Sequence, residues 1–361
     1  MRTRLPPVDP GLVAPARGTL AQPAPRFDRL AREWADDGWN RIEETPHRRE
    51  VTEERPRSVI SWNASPDLGF DRALNPYRGC EHGCLYCYAR PTHAWLGLSP
   101  GLDFETRLIA RPDAATVLEK ELAKPGYRVA PLALGTNTDP WQPIEGQYRI
   151  TRSVLEVLRD WHHPVTITTR GTLIERDLDI LGPMAARGLV EVGISLTTLD
   201  ADLARAMEPR APSPARRLAM IRALAGAGVP VRVMMAPVIP GLTDPEVEPL
   251  LAAAREAGAR AAWWSLLRLP HEVGALFQDW LERERPNHAG KVMNLLRQMR
   301  DGRDNDPAFH SRFRGEGPLA ALLAQRVALA RRRLGYEERL PALRCDLFAP
   351  PPRPGDQLSL F

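Results

Sequence analysis

One alternation dominates the middle of this chain and restricts its folds sharply. Short apolar, β-branched runs at Leu132–Gly135, Val165–Thr169, Leu189–Thr197, Val229–Val238 and Ala261–Leu269 are separated by stretches with helical spacing. Those stretches are Arg149–Trp161, Glu175–Arg187, Pro214–Gly228 and Pro245–Gly258. Strands that alternate with helices of this length form βαβ units around a parallel sheet. Near-continuous apolar strands predict a sheet covered on both faces. The repeats lack a glycine-rich dinucleotide fingerprint, which favours a barrel or partial barrel over a Rossmann sheet. After His271 the pattern turns helical, at Glu272–Glu284, Ala289–Arg300 and Pro318–Arg333.

The ends differ from the middle. Residues 1–57 mix prolines, arginines and acids, with Trp34 and Trp39 as large anchors, and predict an extended arm with a short helix near Phe27–Trp34. The expected units are therefore a 1–57 extension, a 58–270 core, a 271–344 helical region and a 345–361 Pro-rich tail. No run reaches the roughly 18–20 apolar residues of a membrane span, and no secretory signal pattern opens the chain. Four cysteines are too few and too clustered for a disulfide scaffold, so a cytoplasmic setting is expected. The formal charge of +4 is no nucleic-acid footprint by itself, because arginine is the general cation of a chain with only three lysines.

Three cysteines stand as Cys80-Glu-His-Gly-Cys84-Leu-Tyr-Cys87 in a loop that begins Asn75-Pro76-Tyr77-Arg78-Gly79. Thiolates this close repel one another unless a cation binds them or protons return, so a metal is the economical explanation. Zinc with His82 or His93 as fourth ligand is one reading; a [4Fe–4S] cluster with one iron open is the other. The fourth cysteine, Cys345, reads as a small buried apolar residue.

With an aromatic Tyr86 before the last cysteine, this pattern resembles the signature of radical S-adenosylmethionine (radical SAM) enzymes. Asn75–Arg90, Gly135–Glu145, Glu208–Arg217 and Ala236–Asp244 are similar to the spore photoproduct lyase-like branch. The resemblance implies an α/β fold, a partial (β/α)6 TIM-type barrel with the cluster in the loop after its first strand. It implies Cys80, Cys84 and Cys87 as iron ligands and S-adenosylmethionine on the open iron. One-electron cleavage would then give a 5′-deoxyadenosyl radical that abstracts hydrogen from a substrate. The implied cofactor contacts are Tyr86 toward the adenine, Thr136, Asn137 and Asp139 toward the methionyl amino group, Ser195 and Thr197 toward ribose or carboxylate oxygens, and Arg210 toward the carboxylate. The family's common Gly-Gly-Glu is absent at residues 135–139. An electron donor of flavodoxin or ferredoxin type is implied as a partner. Candidate substrates are a DNA lesion or a base; a protein, a peptide or a small metabolite is the alternative, and a non-catalytic zinc or iron–sulfur nucleic-acid module a third reading.

The chain ends Gln357-Leu358-Ser359-Leu360-Phe361, which is similar to the peptide by which bacterial replication and repair proteins dock on the DNA sliding clamp. Its apolar anchors would follow a stiff Pro-rich spacer, as a docking peptide needs.

Overall fold

The computed structural model describes residues 17–19, 21–27 and 49–351. The expected helix near Phe27–Trp34 and the terminal Gln357–Phe361 peptide lie, wholly or almost wholly, outside the described residues.

Among the described residues ten strands form two sheets: β1 (Glu50–Glu53), β2 (Ile60–Trp62), β3 (Arg72–Leu74), β4 (Tyr77–Arg78), β5 (Arg107–Ala110), β6 (Leu132–Leu134), β7 (Val165–Thr169), β8 (Val190–Ser195), β9 (Val231–Val238) and β10 (Ala261–Leu266). The larger sheet has the order β10-β9-β8-β7-β6-β3-β2. From β3 through β10 every neighbouring pair is parallel, and only β2 joins antiparallel at the edge. Six parallel strands in chain order make the expected partial (β/α)6 barrel. Among the described residues the sheet does not close on itself: β2 and β10 are its end strands and do not pair with each other.

The crossover helices arise where the apolar spacing predicts them. In Ile150–Asp160, Ile150, Val154, Leu155 and Leu158 are buried on one face. Ser213 caps Pro214–Gly226 by accepting from the Arg216 amide, and Pro214 suits the first turn. The Glu175–Arg187 helix is shorter than expected: Thr172–Asp177 is a 3-10 turn and the α-helix runs Leu178–Ala186.

The expectation of two covered sheet faces is corrected. Val165 and Ile167 of β7 are buried under the helices, but Thr166 and Thr168 line an internal cavity. Glu191 and Ser195 of β8, Arg232 and Met234 of β9, and Trp263 and Ser265 of β10 line it too. The inner face of the partial barrel borders a cavity walled by both polar and apolar side chains, not a packed layer.

The smaller sheet, β1-β5-β4, draws residues 50–53 of the N-terminal extension onto the body through parallel pairing of β1 with β5. Described residues nearer the start of the extension also lie on the body: Ala21 is buried, and the Gly18 amide donates to Glu105 Oε2 at 2.9 Å. C-terminal helices Glu272–Glu284, Pro286–Gln298 and Gly317–Arg333 follow the barrel. Trp280 anchors the first by burying its indole and donating Nε1–H to the Ala206 carbonyl at 3.2 Å. No helix among the described residues is long and apolar enough to cross a membrane.

Candidate active site

The cysteine segment follows β3 and β4 at the C-terminal end of the barrel strands, where barrel chemistry is assembled. Its path depends on two glycines. Gly79 (φ 75) lies against the Phe104 carbonyl and the Leu108 side chain, and Gly83 (φ 65) against the Glu105 carboxylate, so a Cβ at either would collide. Beneath the loop, Arg90 and Glu105 form a fully buried ion pair at 2.6 Å. Arg90 also donates to the carbonyls of Gly83 (3.2 Å), Cys84 (3.0 Å) and Gly101 (2.9 Å). On the other side Gln142 donates to the Gly79 carbonyl (3.0 Å) and accepts from the Glu81 amide (2.9 Å). Arg90 therefore holds backbone, not a ligand.

Cys80, Cys84 and Cys87 are free thiols, and all three border one cavity of about 870 Å³. Burial, then the charges of Asp139 and Cys84, push the Cys80 thiol well above its usual pKa. Burial likewise pushes Cys84 up to about 12, against the opposing pull of Arg170. Without a metal both are neutral thiols, and a metal that binds them must displace protons. Among the described residues no three His, Cys, Asp or Glu side chains converge on a single-ion site. A cubane, in which each thiolate takes its own iron, makes no such demand. His93 is turned away, with Nε2 3.0 Å from the Arg107 carbonyl, and does not border the cavity. His82 does border it, with Nδ1 3.4 Å from Asp139 Oδ2.

Of the expected cofactor contacts, Tyr86, Thr136, Asn137, Asp139 and Ser195 line the cavity; Thr197 and Arg210 do not. Asn75 positions the 135–139 loop, accepting from the amides of Asn137 (2.9 Å) and Thr138 (3.3 Å) and donating to Thr136 Oγ1 (3.3 Å). Asp139 is an organiser: it accepts from Thr169 Oγ1 (2.6 Å) and from the amides of Trp141 (2.9 Å) and Arg170 (2.8 Å). Thr197 sits behind the wall, 2.9 Å from Tyr86 Oη. Arg210 pairs with Glu81 at 3.3 Å, away from the cavity.

Sequence reasoning missed the centre of this network. Arg170, the residue after β7, places Nη1 3.0 Å from Cys84 Sγ, 2.9 Å from Tyr86 Oη and 2.7 Å from Glu208 Oε1. Glu208, almost wholly buried, also accepts from Thr197 (3.1 Å), Tyr86 and Arg217. The segment Glu208–Arg217 thus works through its first and last residues, not through Arg210. The available signal was Arg170's position at the end of a β-branched strand. Trp141 and Trp264 are core residues, whereas Trp263 lines the cavity. Cys345 is half-buried, 4.0 Å from the Leu343 carbonyl, and borders no part of the cavity.

Asp139 gives a pH prediction. Burial opposes its charge, but His82 and the hydrogen bonds from Thr169 and the Arg170 amide outweigh it and hold the carboxyl at about 2. A depressed folded-state pKa contributes stability above the unfolded value near 4 and loses it as pH falls toward 2, on the order of 2 kcal/mol in all. Urea midpoints for wild type and Asp139→Asn should therefore differ at pH 7 and converge between about pH 4 and 2. A gap that persists unchanged at pH 2 would refute the ionised Asp139.

The comparisons with known proteins agree with this geometry. The family model described as the Radical SAM superfamily matches residues 74–254, from β3 to the helix before β10. Uncharacterised proteins of Mycobacterium tuberculosis and Mycobacterium bovis are each 40% identical over 233 residues, covering 64% of this chain and 68% of theirs. An uncharacterised protein of Methanocaldococcus jannaschii is 25% identical over 178 residues, 49% of this chain and 64% of that one. Among solved structures, a variant of spore photoproduct lyase superposes with a TM-score of 0.56 at 15% identity, covering 79% of this chain and 80% of that one. With a cysteine loop at the barrel mouth, the family match over β3–β9 and a lyase-like fold, the chain belongs to the radical SAM superfamily, whose members use a [4Fe–4S] cluster and S-adenosylmethionine.

Proposed function

We propose that Cys80, Cys84 and Cys87 hold the [4Fe–4S] cluster and that the cavity beside them takes a nucleic-acid base or lesion. The observation that carries the reading is one continuous space bordered by the three thiols on one side and by Trp62, Trp263, Phe313, Arg268 and Arg312 on another. Aromatic faces and guanidinium groups are the surfaces on which flat bases stack and phosphates pair. Trp62 is 62% exposed among the described residues, with the Arg72 guanidinium 4.6 Å from its ring centre. That the similar solved structure is a spore photoproduct lyase supports the same substrate class.

When bound, the cluster and S-adenosylmethionine supply one-electron cleavage of the sulfonium and hydrogen abstraction by a carbon radical. The chain supplies the rest. Arg170 donates to the Cys84 sulfur, and a hydrogen bond to a ligand sulfur favours the more negative, reduced state of such a centre. Glu208, Tyr86 and Arg217 fix that guanidinium. Thr136, Asn137 and Ser195 present polar groups along the wall, and Met234, Trp263 and Phe313 exclude water from the reacting volume. A flavodoxin- or ferredoxin-type donor would deliver the electron, and the terminal Gln357-Leu358-Ser359-Leu360-Phe361 peptide would bring the enzyme to DNA on a sliding clamp.

The test is anaerobic reconstitution followed by measurement of 5′-deoxyadenosine, and of deuterium transferred into it, with damaged oligonucleotides, peptides and cell extract as separate substrates. Stimulation by the oligonucleotide is expected. Stimulation by peptide or small-molecule fractions alone would replace the nucleic-acid reading with the alternative one.

A further inference from the structure

The partial barrel is open between its end strands β2 and β10, and the loops flanking that opening are tied together. Asp67, between β2 and β3, pairs with Arg312 at 2.6 Å, and its Oδ1 accepts from the His310 amide at 2.7 Å. Arg300, almost wholly buried, supports the seam by donating to the carbonyls of Leu267 (2.6 Å) and Arg312 (3.1 Å).

Arg268, two residues beyond β10, lines the cavity at this seam. Its guanidinium lies over Phe313 (5.1 Å to the ring centre) and Tyr88 (5.9 Å), but it has no hydrogen bond or ion pair among the described residues. Its Nε is buried and unsatisfied. The nearby acids are occupied, Asp67 by Arg312 and Asp306 by Ser311 and the Ala308 amide. Arg312, which also lines the cavity, adds a second positive charge, and burial together with that charge disfavours the Arg268 cation. A half-buried guanidinium with its donors unused is costly, and an oxyanion removes the cost.

We propose that Arg268, with Arg312 beside it, is a phosphate-binding subsite that grips the substrate's backbone where it enters through the open side of the barrel. The inference rests on the nucleic-acid reading for the identity of the ligand, but the anion site itself does not. The seam joins the 63–71 and 303–315 loops, and the hydroxyl of the Tyr88 ring under Arg268 donates to the Thr136 carbonyl, so the S-adenosylmethionine arm of the experiment below separates phosphate from the carboxylate of the cofactor. Trp263 and the exposed part of Trp62 flank the seam and would stack a base beside the held phosphate, while Phe313 carries the two guanidinium groups.

The experiment uses anaerobically reconstituted full-length protein, wild type, Arg268→Gln and Arg268→Lys. Four probes are titrated: inorganic phosphate, the thymidine dinucleotide dTpdT, its uncharged methylphosphonate analogue, and S-adenosylmethionine. Wild type should prefer dTpdT over the analogue by roughly 10-fold or more, as expected for a lost charge-assisted hydrogen-bond pair. Arg268→Gln should abolish that preference and the binding of inorganic phosphate while leaving S-adenosylmethionine affinity unchanged, and Arg268→Lys should restore part of it. The salt dependence of an oligothymidylate should lose a slope of about 0.7, one single-strand phosphate.

Phosphate binding that needs Arg268 without any preference for dTpdT would keep the anion site and remove the nucleic-acid reading. An undiminished preference in Arg268→Gln would remove the site and keep that reading. Weakened S-adenosylmethionine binding in the same variant would assign Arg268 to the cofactor and overturn the proposal, and absence of all phosphate and dinucleotide binding in wild type would sink both. Arg268→Lys guards against misfolding: it keeps the stem and the charge and should keep the wild-type melting temperature.

Discussion

Cys84→Ala should leave the protein folded and remove its chemistry. In the metal-free state Cys84 is a neutral thiol with 7% exposure inside the core, so its replacement by alanine changes little volume. Apo-state stability should shift by about 1 kcal/mol or less. Iron–sulfur absorption after anaerobic reconstitution, and 5′-deoxyadenosine formation, should fall to background, because a cubane held by two thiolates loses both a ligand and the Arg170 contact that Cys84 receives. Cys80→Ala and Cys87→Ala should behave alike, and Cys345→Ala should keep full iron content. Retained cleavage in Cys84→Ala would refute the ligand assignment. Stoichiometric zinc in the wild type, lost in the same variant, would revive the non-catalytic module.

Glu208→Ala should be the most destabilising single change near the site. Its carboxylate, with 1% side-chain exposure, neutralises Arg217 (2% exposed) and pairs with Arg170. Removal strands two guanidinium groups and leaves Tyr86 and Thr197 without their shared acceptor, and loss of one partner from a buried ion pair costs about 3–5 kcal/mol. Chemical denaturation should show a fall of that size, whereas Glu208→Gln, which keeps the acceptor oxygen but not the charge, should fall less. The variant that survives folding should also bind a cluster with an altered reduction potential, because Arg170 is no longer held against the Cys84 sulfur. A Glu208→Ala protein as stable as wild type would show that the hub is dispensable.

The sequence exposes the barrel and its cysteine loop for different reasons. The parallel strands β7 to β10 are long enough, and rich enough in β-branched or apolar residues, to announce themselves; β2, β3 and β6 have three residues each, too few for any period to register. β3 is nevertheless the first barrel strand, legible only because the cysteines had to follow something. The even apolar look of β9 hid the alternation in which Arg232, Met234 and Ala236 turn inward, since methionine and alanine read as core while serving as cavity wall.

At the site, motif spacing identifies the thiols and the 135–139 loop, both of which are local in the chain. The Arg170–Glu208 and Asp139–His82 pairs join residues 38 and 57 positions apart, and nothing in local spacing distinguishes such arginines and acids from the many surface pairs of an arginine-rich chain. Arg210 illustrates the cost: its place beyond the strand end at Ser195 and Thr197 made it a candidate, yet the chain turns after Glu208 and sends Arg210 to Glu81 while Arg217 comes back.

The unclosed sheet has a consequence for what can be processed. A sealed ring must be threaded from an end or fed something small enough to drop in from above. A ring missing a stave, its gap latched where Asp67 meets Arg312 and the His310 amide, would let a polymer of the proposed kind lie sideways across the slot and dip one unit inside. On the nucleic-acid reading, an interior position of a long strand would be as reachable as a terminus, and the latch, not the length of the strand, would set how readily it enters.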